Sequence, residues 1–514
     1  MKLRVYIKKS LLCLNIILIM STLVSLHNYQ LDNDIWYILT QGRYIAQNGL
    51  YNIDPFTIHE GLNVVVQNWL SSLIFWNVYD FCGELGILSL IIIINGLICT
   101  LLYKICMLIS DNNKFLSIIC SVVTDIFLIM YYIVSRGQIF SFVLLLSVIY
   151  FLEKYIKTNN GKYLIVLPII SLLQINLHAS LWLMIFLYSL PYIIDGLKFK
   201  KLGLEGYRLK PILIALFVSI LVGFINPYSY KAITFIIPSF FNETMHELIG
   251  ELHTFSIAGS MGKIFLAIFF SISLMYTFIR KGNTKVRYLC LLYGTMILGI
   301  SSYKGLSNFL LVAFFPFAYF FKDIFNIDFN KSFKFFKKFS NVVLPVFFIA
   351  SIGLFGYFYY DSKNYIKLEH TYEDTVDVLL KDFNKNDIRL YVNFNNGGYT
   401  EFRGIKSYID PRAEYFLKSI NKKADILDEY VNVNSNMVNY EKFFKKYDFT
   451  HLIVELDEVR NYLISEENND YILYYADEIN GIYLYARKDL LSKEKIKELE
   501  KMDYFDSEVH FYRY

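Results

Sequence analysis

The chain has few charged residues for its length, and its cysteines form no functional pattern. Charged residues make up 19% of the 514 positions, while 55% are hydrophobic. The six cysteines all lie in or beside apolar runs, at no metal-like spacing, and none occurs after Cys290. We therefore predict neither a disulfide framework nor a thiolate metal site. The formal net charge of +4 is too small to indicate a nucleic-acid partner, and we expect none.

The hydrophobic residues are concentrated in runs close to the length that crosses a bilayer. About 20 consecutive apolar residues cross the hydrocarbon core as a helix. This pattern predicts an α-helical polytopic membrane protein with about 11 transmembrane helices. The predicted spans are residues 10–27, 85–109, 115–133, 138–156, 162–176, 180–197, 211–226, 261–279, 287–302, 305–321 and 340–358.

Basic residues indicate the orientation of these spans. Lys2, Arg4, Lys8 and Lys9 precede the first run, and no small-x-small cleavage site precedes His27, so we predict a retained signal anchor with a cytoplasmic N-terminus. Eleven crossings then place the residues from about 361 onward outside the cytoplasm. Loops predicted to be cytoplasmic carry most of the lysines and arginines, including Arg287. The predicted outer loops hold almost no basic residues besides Arg43, Arg136, Lys231 and Lys304.

Residues 64–81, with the sequence VVVQNWLSSLIFWNVYDF, are apolar but are not counted as a span. The segment is short and contains Gln67 and Asn68. We interpret it as a separate helix that lies in the outer interface or dips into the membrane. Counting it as a span would move every later loop to the opposite side of the membrane. The basic residues would then no longer be concentrated in the predicted cytoplasmic loops.

The first predicted outer loop opens with two carboxylates. Asp32, Asn33 and Asp34 follow the first span directly, and an amphipathic stretch comes next. We expect Asp32 or Asn33 to cap a helix that lies flat on the membrane and ends at Asn48-Gly49. The carboxylates would then lie at the positive end of that helix.

Further polar residues fall in the same predicted outer loops. Each has an explanation that involves no function. Asp54 before a proline can initiate a turn, Arg136 can contact a lipid phosphate, and His178 can be a hydrogen-bonded residue at a buried interface. Together they predict a polar cavity that opens outward, because a membrane protein keeps such groups only at a cost. The other members are His59, Glu60, Gln67, Asn68, Gln138, Gln174, Asn176, His246, Glu247, Glu251, His253, Lys304 and Asn308.

Several of these segments match the motifs of one family. They are Asp34-Ile35-Trp36, Gly42, Ile45, Gly49, Asp54-Pro55-Phe56-Thr57, Gln67-Asn68-Trp69-Leu70, Arg136-Gly137-Gln138-Ile139-Phe140, Asn176-Leu177-His178-Ala179, Asn226-Pro227-Tyr228, Asn395-Asn396-Gly397-Gly398-Tyr399 and Tyr408-Ile409-Asp410-Pro411-Arg412. With these motifs, the chain resembles the GT-C superfamily of membrane glycosyltransferases, especially poorly characterised bacterial and archaeal members. It departs from that pattern where Asn68 replaces the usual glutamate and where Lys304 replaces a frequent arginine.

The resemblance implies an inverting transfer of a sugar from a polyprenyl-phosphate-linked donor to an acceptor on the extracytoplasmic face of the cell membrane. Such a reaction needs a base for the acceptor hydroxyl and positive charge for the leaving phosphate. The expected base is Asp34, with Asp32 second. The expected donor-phosphate ligands are Arg136, His178 and Lys304, and the other cavity candidates are Asp54, Gln138, Asn176, Glu247 and Glu251. The resemblance requires no cofactor, although the carboxylates and histidines are compatible with a divalent metal.

The C-terminal residues predict a small α/β domain. Short apolar runs predict strands at 389–394, 407–409, 451–456, 471–475 and 482–486, and the amphipathic segments that alternate with them predict helices at 423–430, 440–447 and 458–465. We expect a transmembrane GT-C-like domain over 1–360, with outer loops 28–84 and 227–260, and a soluble extracytoplasmic domain over 361–514. Residues 395–398 supply glycines for a turn, but no helix is expected after them, so we predict no nucleotide site there. Acceptor recognition, a lid and a purely structural cap are all compatible roles for this domain.

Three other functions remain open at this point. The chain could be a transporter or flippase, although no internal repeat is apparent. It could be a polymerase or ligase of lipid-linked saccharides. A non-catalytic assembly protein is a further alternative, because Asn68 replaces the usual glutamate. The expected partners are the bilayer and the lipid-linked sugar, whereas the sequence names neither the sugar, the acceptor nor any protein partner.

Overall fold

The computed structural model divides the chain into two compact units. The helical unit comprises Met1–Asp32, Gln67–Ile236 and Ile249–Lys367, and the sheet unit comprises Asn33–Val66, Ile237–Leu248 and Leu368–Tyr514. Most of the first long loop and the short segment 237–248 therefore fold with the C-terminal residues. The structure describes residues 2–28, 31–197, 205–235, 237–240, 242–254, 259–279, 285–322, 345–346, 348–361 and 370–501.

The helical unit contains most of the apolar helices, which follow the predicted runs. Among the described residues, four helices are long and apolar enough to cross a membrane: α3, α4, α5 and α14, as bounded below. The total of about eleven spans stays a prediction. In chain order, with α2, α10 and α11 belonging to the sheet unit, the described helices up to residue 361 are α1 Lys2–His27, α2 Ile35–Asn48, α3 Trp69–Ile109, α4 Lys114–Tyr131, α5 Gln138–Thr158, α6 Val166–Leu177, α7 Met184–Asp195, α8 Lys210–Val222, α9 Tyr230–Thr234, α10 Ile237–Phe240, α11 Glu243–Leu248, α12 Ser260–Ile279, α13 Val286–Ser301, α14 Tyr303–Phe321 and α15 at 348–361.

A helix within residues 64–81 was expected to be separate from the span at 85–109. Element α3 comprises two helices, the first of which begins at Trp69, and they meet at Gly83 with φ 63° and ψ −154°. Glycine adopts this non-helical backbone conformation without the steric penalty of a Cβ, so the first helix ends here and the second starts in a new direction. The place of the first helix in the outer interface stays a prediction.

A buried ion-pair cluster, here called the Arg287 cluster, joins separate segments of the helical unit. Arg287 at the start of α13 donates to Glu153 on α5 at 3.1 Å, to Asp195 on α7 at 2.7 Å and to Glu205 at 2.5 Å. Glu205 also pairs with Lys285 at 2.6 Å. A buried guanidinium needs such partners, because an unpaired charge away from water is strongly destabilising. Arg287 is therefore not merely an orienting loop cation, as the charge pattern indicated, but a buried link between helices.

The sheet unit contains a five-stranded mixed sheet whose strands are in the order β2-β1-β3-β5-β4. Strands β2, β1 and β3 are parallel neighbours, while β5 is antiparallel to both β3 and β4. Four of the five begin at the first residue of a predicted strand, and β2 shares only Ser407 with the predicted strand at 407–409. Their bounds are β1 Arg389–Tyr391, β2 Lys406–Ser407, β3 His451–Val454, β4 Tyr471–Asp477 and β5 Ile482–Arg487.

Three of the C-terminal helices lie where amphipathic segments predicted them, at 426–434, 440–447 and 458–463, whereas four others were not predicted. One of these four, Gly397–Phe402, begins with the glycine pair, where no helix was expected. A Cβ on Gly397 would lie 1.9 Å from the carbonyl oxygen of Ile409, so close packing against the chain selects glycine here. The helices are α16 Glu373–Asp382, α17 Gly397–Phe402, α18 Lys418–Asn421, α19 Ile426–Asn434, α20 Tyr440–Tyr447, α21 Glu458–Leu463 and α22 Lys493–Leu499.

Residues 33–66 belong to the sheet unit through main-chain and aromatic contacts. Thr57 forms a parallel bridge with Ser407, and the Ile58 amide donates to the Ser407 carbonyl at 2.9 Å. On α2, the ring of Trp36 packs edge-on against Tyr399, with 4.8 Å between ring centroids. These contacts bury the apolar side of a helix that was expected to lie on a membrane surface.

Candidate functional site

Arg136 is the centre of a polar cluster in the helical unit. It precedes α5 and lies in the short connection after α4. Its Nε donates to Asp32 Oδ1 at 2.8 Å, and its Nη1 donates to Glu251 Oε1 at 2.5 Å. The Asp32 amide in turn donates to the hydroxyl of Ser135 at 3.1 Å. Three segments distant in sequence are thereby brought to one guanidinium.

Lys304 adds a second cation to this group, which we call the Arg136 cluster: Asp32, Arg136, Glu251 and Lys304. Burial alone would raise the pKa of Glu251, but the nearby charges of Arg136 and Lys304 hold that pKa below its ordinary value. Glu251 is therefore ionised at neutral pH. With two carboxylates and two cations, the cluster is close to electrically neutral.

Hydrogen bonds fix the segment that carries Lys304. The Tyr132 hydroxyl at the end of α4 donates to the Tyr303 carbonyl at 2.8 Å. The Tyr303 amide donates to the His253 carbonyl at 3.3 Å. The start of α14, the end of α4 and the segment around Glu251 are thus tied together, which positions the charges of the Arg136 cluster.

His178 lies between α6 and α7 and is buried. Its Nδ1 is 3.2 Å from the Ser141 hydroxyl, and its Nε2 is 3.0 Å from the Ser180 hydroxyl. Burial, and secondarily the charge of Lys304, lowers the pKa of His178 to about 3. The ring is therefore uncharged near neutral pH, so it can meet a phosphate only as a hydrogen-bonding group and not as a cation.

Gln138 and Asn176 form hydrogen bonds between helices of the helical unit. Gln138 Nε2 donates to the Ser307 hydroxyl at 3.3 Å. The Trp69 indole donates to Asn176 Oδ1 at 3.0 Å, and Asn176 Nδ2 donates to the Ile225 carbonyl at 3.1 Å. Asn176 thus links the starts or ends of three helices.

Three predicted residues, Asp34, Asp54 and Glu247, belong to the sheet unit. The N-cap of α2 is Asp34 rather than Asp32 or Asn33, and its side chain makes no capping hydrogen bond. Glu247 lies in α11, which ends at Leu248, whereas Glu251 belongs to the helical unit.

A second buried ion-pair cluster lies within the sheet unit and was not predicted. Arg412 pairs with Asp410 at 2.6 Å, with Glu401 at 3.1 Å and with Asp54 at 3.1 Å. Asp54 Oδ2 also accepts the Thr57 amide at 3.0 Å. We call this group the Arg412 cluster. It joins two motifs of the family resemblance that are 358 residues apart in the chain.

The Arg412 cluster has three carboxylates for one guanidinium, all of them buried. Burial first, and the neighbouring Asp410 second, raises the pKa of Glu401 well above its ordinary value, against the opposing effect of Arg412. Asp54 and Arg412 lie in separate sequence motifs. Only the structure shows that their side chains form an ion pair. The arrangement is that of a structural link.

The described residues offer no ready-made metal site. Among them, no three histidine, cysteine, aspartate or glutamate side chains are grouped closely enough to hold an ion. Asp32 and Glu251 both accept from Arg136, which occupies oxygens that a divalent cation would need. No step below depends on a metal.

Comparison with solved structures identifies the fold. The apo form of the oligosaccharyltransferase of the archaeon Archaeoglobus fulgidus superposes with a TM-score of 0.58 at 10% sequence identity, over 92% of this chain and 74% of that chain. The chain has a GT-C fold. The oligosaccharyltransferase tethered to an acceptor peptide with an NVT sequon gives a TM-score of 0.52 at 10% identity, over 92% of this chain and 73% of that chain. The archaeal oligosaccharyltransferase AglB from Archaeoglobus fulgidus, in complex with an inhibitory peptide and a dolichol-phosphate, gives a TM-score of 0.56 at 9% sequence identity. The match covers 92% of this chain and 74% of that chain.

The GT-C fold is the one that the motif resemblance implied, and the long apolar helices among the described residues support a membrane-embedded protein. No family model and no curated protein matches the sequence. At 10% identity the likeness concerns the fold, while the roles of individual residues rest on the geometry described above.

Proposed function

We propose that the protein transfers a sugar from a polyprenyl-phosphate-linked donor to an acceptor at the membrane surface. The observation that carries the proposal is the Arg136 cluster: a partly exposed guanidinium beside a lysine, held by two carboxylates, in a chain with a GT-C fold. The structure of AglB with a dolichol-phosphate supports a lipid-linked phosphate as the donor group.

The reaction is a single displacement at the anomeric carbon of the donor sugar. The acceptor oxygen forms a bond to that carbon, the bond from the carbon to the phosphate oxygen breaks, and the acceptor proton passes to a carboxylate. Arg136 and Lys304 would stabilise the charge that develops on the leaving phosphate, since preorganised cations act where charge appears in the transition state.

Asp32 and Glu251 have a second task in this proposal. Each binds Arg136 when no donor is present, and an arriving phosphate would compete with them for the guanidinium. A carboxylate released in this exchange is free to accept a proton. Asp32 is therefore a candidate base alongside Asp34, which remains the first prediction from the family motif.

A transfer assay with purified protein tests this function. Polyprenyl-phosphate sugars are the donors, and the variants are Asp32→Asn, Asp34→Asn and Arg136→Gln. Asp111→Asn is the matched control, because that partly exposed carboxylate binds Lys157 and Lys322 elsewhere in the helical unit. We expect transfer to fall strongly in Arg136→Gln and in at least one aspartate variant, and to persist in the control.

The same assay separates the competing functions. Full transfer in all three variants would remove the Arg136 cluster and Asp34 from the mechanism. Chain extension or block transfer in the product would identify a polymerase or ligase. Flux of a lipid-linked sugar into proteoliposomes without any new glycosidic bond would identify a transporter, and inactivity in every assay would favour an assembly role.

We also propose that the sheet unit faces away from the cytoplasm, which the distribution of basic residues supports. In a chain whose six native cysteines are replaced, Lys406→Cys provides an exposed labelling position in β2. A thiol reagent that cannot cross membranes should label this variant in intact cells. Labelling that requires broken cells would reverse the orientation.

A further inference from the structure

The sheet unit contains a cavity of about 460 Å³ that the proposed reaction does not use. Its walls come from the segment 54–61, the segment 385–389 before and at the start of β1, and residues 404 and 406 beside β2. A cavity of this volume is within the range of small-molecule sites, roughly 300–1,000 Å³. The question is which chemical class of ligand would fit it.

Three basic side chains line the cavity. Lys385 and Lys406 are exposed, and among the described residues neither side chain makes an ion pair or a hydrogen bond. Arg389 uses its Nε to donate to the Tyr447 carbonyl at 2.8 Å, which leaves its positive charge without a carboxylate among the described residues. The arginines at the centres of the three clusters described above, in contrast, all have acidic partners.

The acidic residues of the wall do not cancel this charge. Asp54 is already bound to Arg412, at 3.1 Å. The one other carboxylate among the lining residues is Glu60, which lies on the exposed side of the segment 54–61. The lining therefore has a net positive charge, and lysine and arginine side chains bind carboxylate and phosphate groups through charge-assisted hydrogen bonds.

The Thr57 hydroxyl is an independent indication of a ligand. Thr57 lines the cavity with only 2% of its surface exposed. Among the described residues, its Oγ1 has no hydrogen-bond partner, although its amide donates to Asp54. A buried hydroxyl without a partner is destabilising, so such groups usually have one. A polar ligand in the cavity would supply it.

The rest of the lining favours a ligand with many hydroxyl groups. Asn386 and Glu60 offer an amide and a carboxylate, whereas the apolar side chains of the wall are those of Ile58 and Ile388. Among the described residues that line the cavity, the imidazole of His59 is the only aromatic ring. A nucleobase or an apolar ligand would find little surface to stack on or to bury against.

We propose that this cavity binds an anionic saccharide, a sugar that carries a carboxylate or a phosphate group. Lys385, Arg389 and Lys406 bind the anionic group, and Thr57 and Asn386 bind sugar hydroxyls. The inference does not depend on the proposed transfer reaction, because binding is measured without donor and without turnover.

Calorimetric titration of the full chain in detergent tests the ligand class. The probes are a digalacturonate, glucose 1-phosphate, neutral maltose and inorganic phosphate. We expect at least one anionic sugar to bind tenfold or more tightly than both maltose and inorganic phosphate. Whichever of digalacturonate and glucose 1-phosphate binds more tightly identifies the anionic group as a carboxylate or a phosphate. Equal affinity for maltose, equal affinity for inorganic phosphate, or no binding in the millimolar range would each overturn the proposal.

Substitutions test the location of the site. Combining Lys385→Gln with Lys406→Gln should weaken binding about a hundredfold, since each of the two charge-assisted contacts contributes about tenfold. Lys493→Gln with Lys497→Gln removes the same charge from exposed positions on α22 and should leave binding unchanged.

Thr57→Val separates a ligand contact from a structural role. It removes the hydroxyl but keeps the shape, so we expect weaker saccharide binding at an unchanged or raised melting temperature. Unchanged affinity in both Thr57→Val and the paired Lys385 and Lys406 variant would place any bound saccharide elsewhere and overturn the assignment.

Discussion

The helical unit contains two arginine clusters with similar partners and very different surroundings. The side chain of Arg287 is 2% exposed, and its partners Asp195 and Glu153 are 0% and 6% exposed. The side chain of Arg136 is 25% exposed, and its partners Asp32 and Glu251 are 20% and 44% exposed. Each arginine joins segments that are distant in sequence.

This difference separates a structural role from a functional one. A buried ion pair is costly to break, because the remaining partner keeps an unpaired charge away from water. A partly exposed pair contributes little to stability and exchanges partners readily. The Arg287 cluster is therefore suited to holding helices together, and the Arg136 cluster is suited to binding an anionic ligand.

Arg287→Gln should have the largest effect on stability. It leaves the buried carboxylates of Glu153 and Asp195 without a counter-charge, and we expect a loss of about 3–5 kcal/mol. The thermal midpoint in detergent measures this loss. Lys285→Gln is the control, because its partly exposed pair with Glu205 should contribute less than about 1 kcal/mol. Equal losses in the two variants would contradict the structural role of Arg287.

Arg412→Gln extends the comparison to the sheet unit. We expect a loss of similar size, about 3–5 kcal/mol, because Asp54, Glu401 and Asp410 would all lose their guanidinium. The deficit should shrink in mild acid, since a protonated Glu401 needs no counter-charge. Arg403→Gln is the control, as its partner Asp377 is exposed. A deficit that stays constant with pH would contradict the explanation from unpaired carboxylates.

Arg136→Gln should instead lower sugar transfer by about 10²–10³-fold, the usual effect of removing one donor that stabilises transition-state charge. Its thermal midpoint should change little, because exposed ion pairs contribute at most about 1 kcal/mol. Lys157→Gln removes a comparably exposed cation that binds Asp111, and it should leave transfer intact. If Arg136→Gln lost stability as severely as Arg287→Gln, the contrast between the clusters would fail.

The smallest expected effect is the pH dependence of the Arg136–Glu251 pair. The pKa of Glu251 is lowered in the folded chain, so its stabilising contribution is present above the ordinary glutamate value of about 4.3. That contribution, less than about 1 kcal/mol, is lost as the pH falls through the lowered pKa. The thermal midpoints of the wild type and Glu251→Gln should therefore differ slightly at neutral pH and converge in acid. A difference that grows in acid would contradict the pairing.

Much of the fold could be predicted from local patterns. Four strands of the sheet unit begin where short apolar runs predicted them, and α2 ends at Asn48, before a glycine, as expected. The Gly397–Phe402 helix was missed because two leading glycines have poor helix propensity. Its position is decided by packing, since the Ile409 carbonyl leaves no room for a Cβ at Gly397.

The residues of the candidate site were predictable, but their partners were not. Arg136, Asp32, Glu251 and Lys304 were all expected near one polar cavity because they are costly residues in neighbouring loops. No local pattern indicates that Arg136 binds Asp32 and Glu251, which are 104 and 115 residues away in the chain. The Arg287 cluster was missed for the same reason, since an arginine at a helix end has the sequence signature of an orienting cation.

The sequence by itself determined the membrane-embedded class, the positions of most helices and strands, and which polar residues were unusual enough to be functional candidates. These properties follow from composition and from periodicity over a few residues. Only the tertiary structure decided which charge neutralises which, that most of the first long loop folds with the C-terminal sheet, and that three basic residues of one cavity have no acidic partner among the described residues. The physical reason is that burial and ion pairing depend on distances in space, and short distances join residues such as Asp54 and Arg412, which are 358 positions apart in the chain.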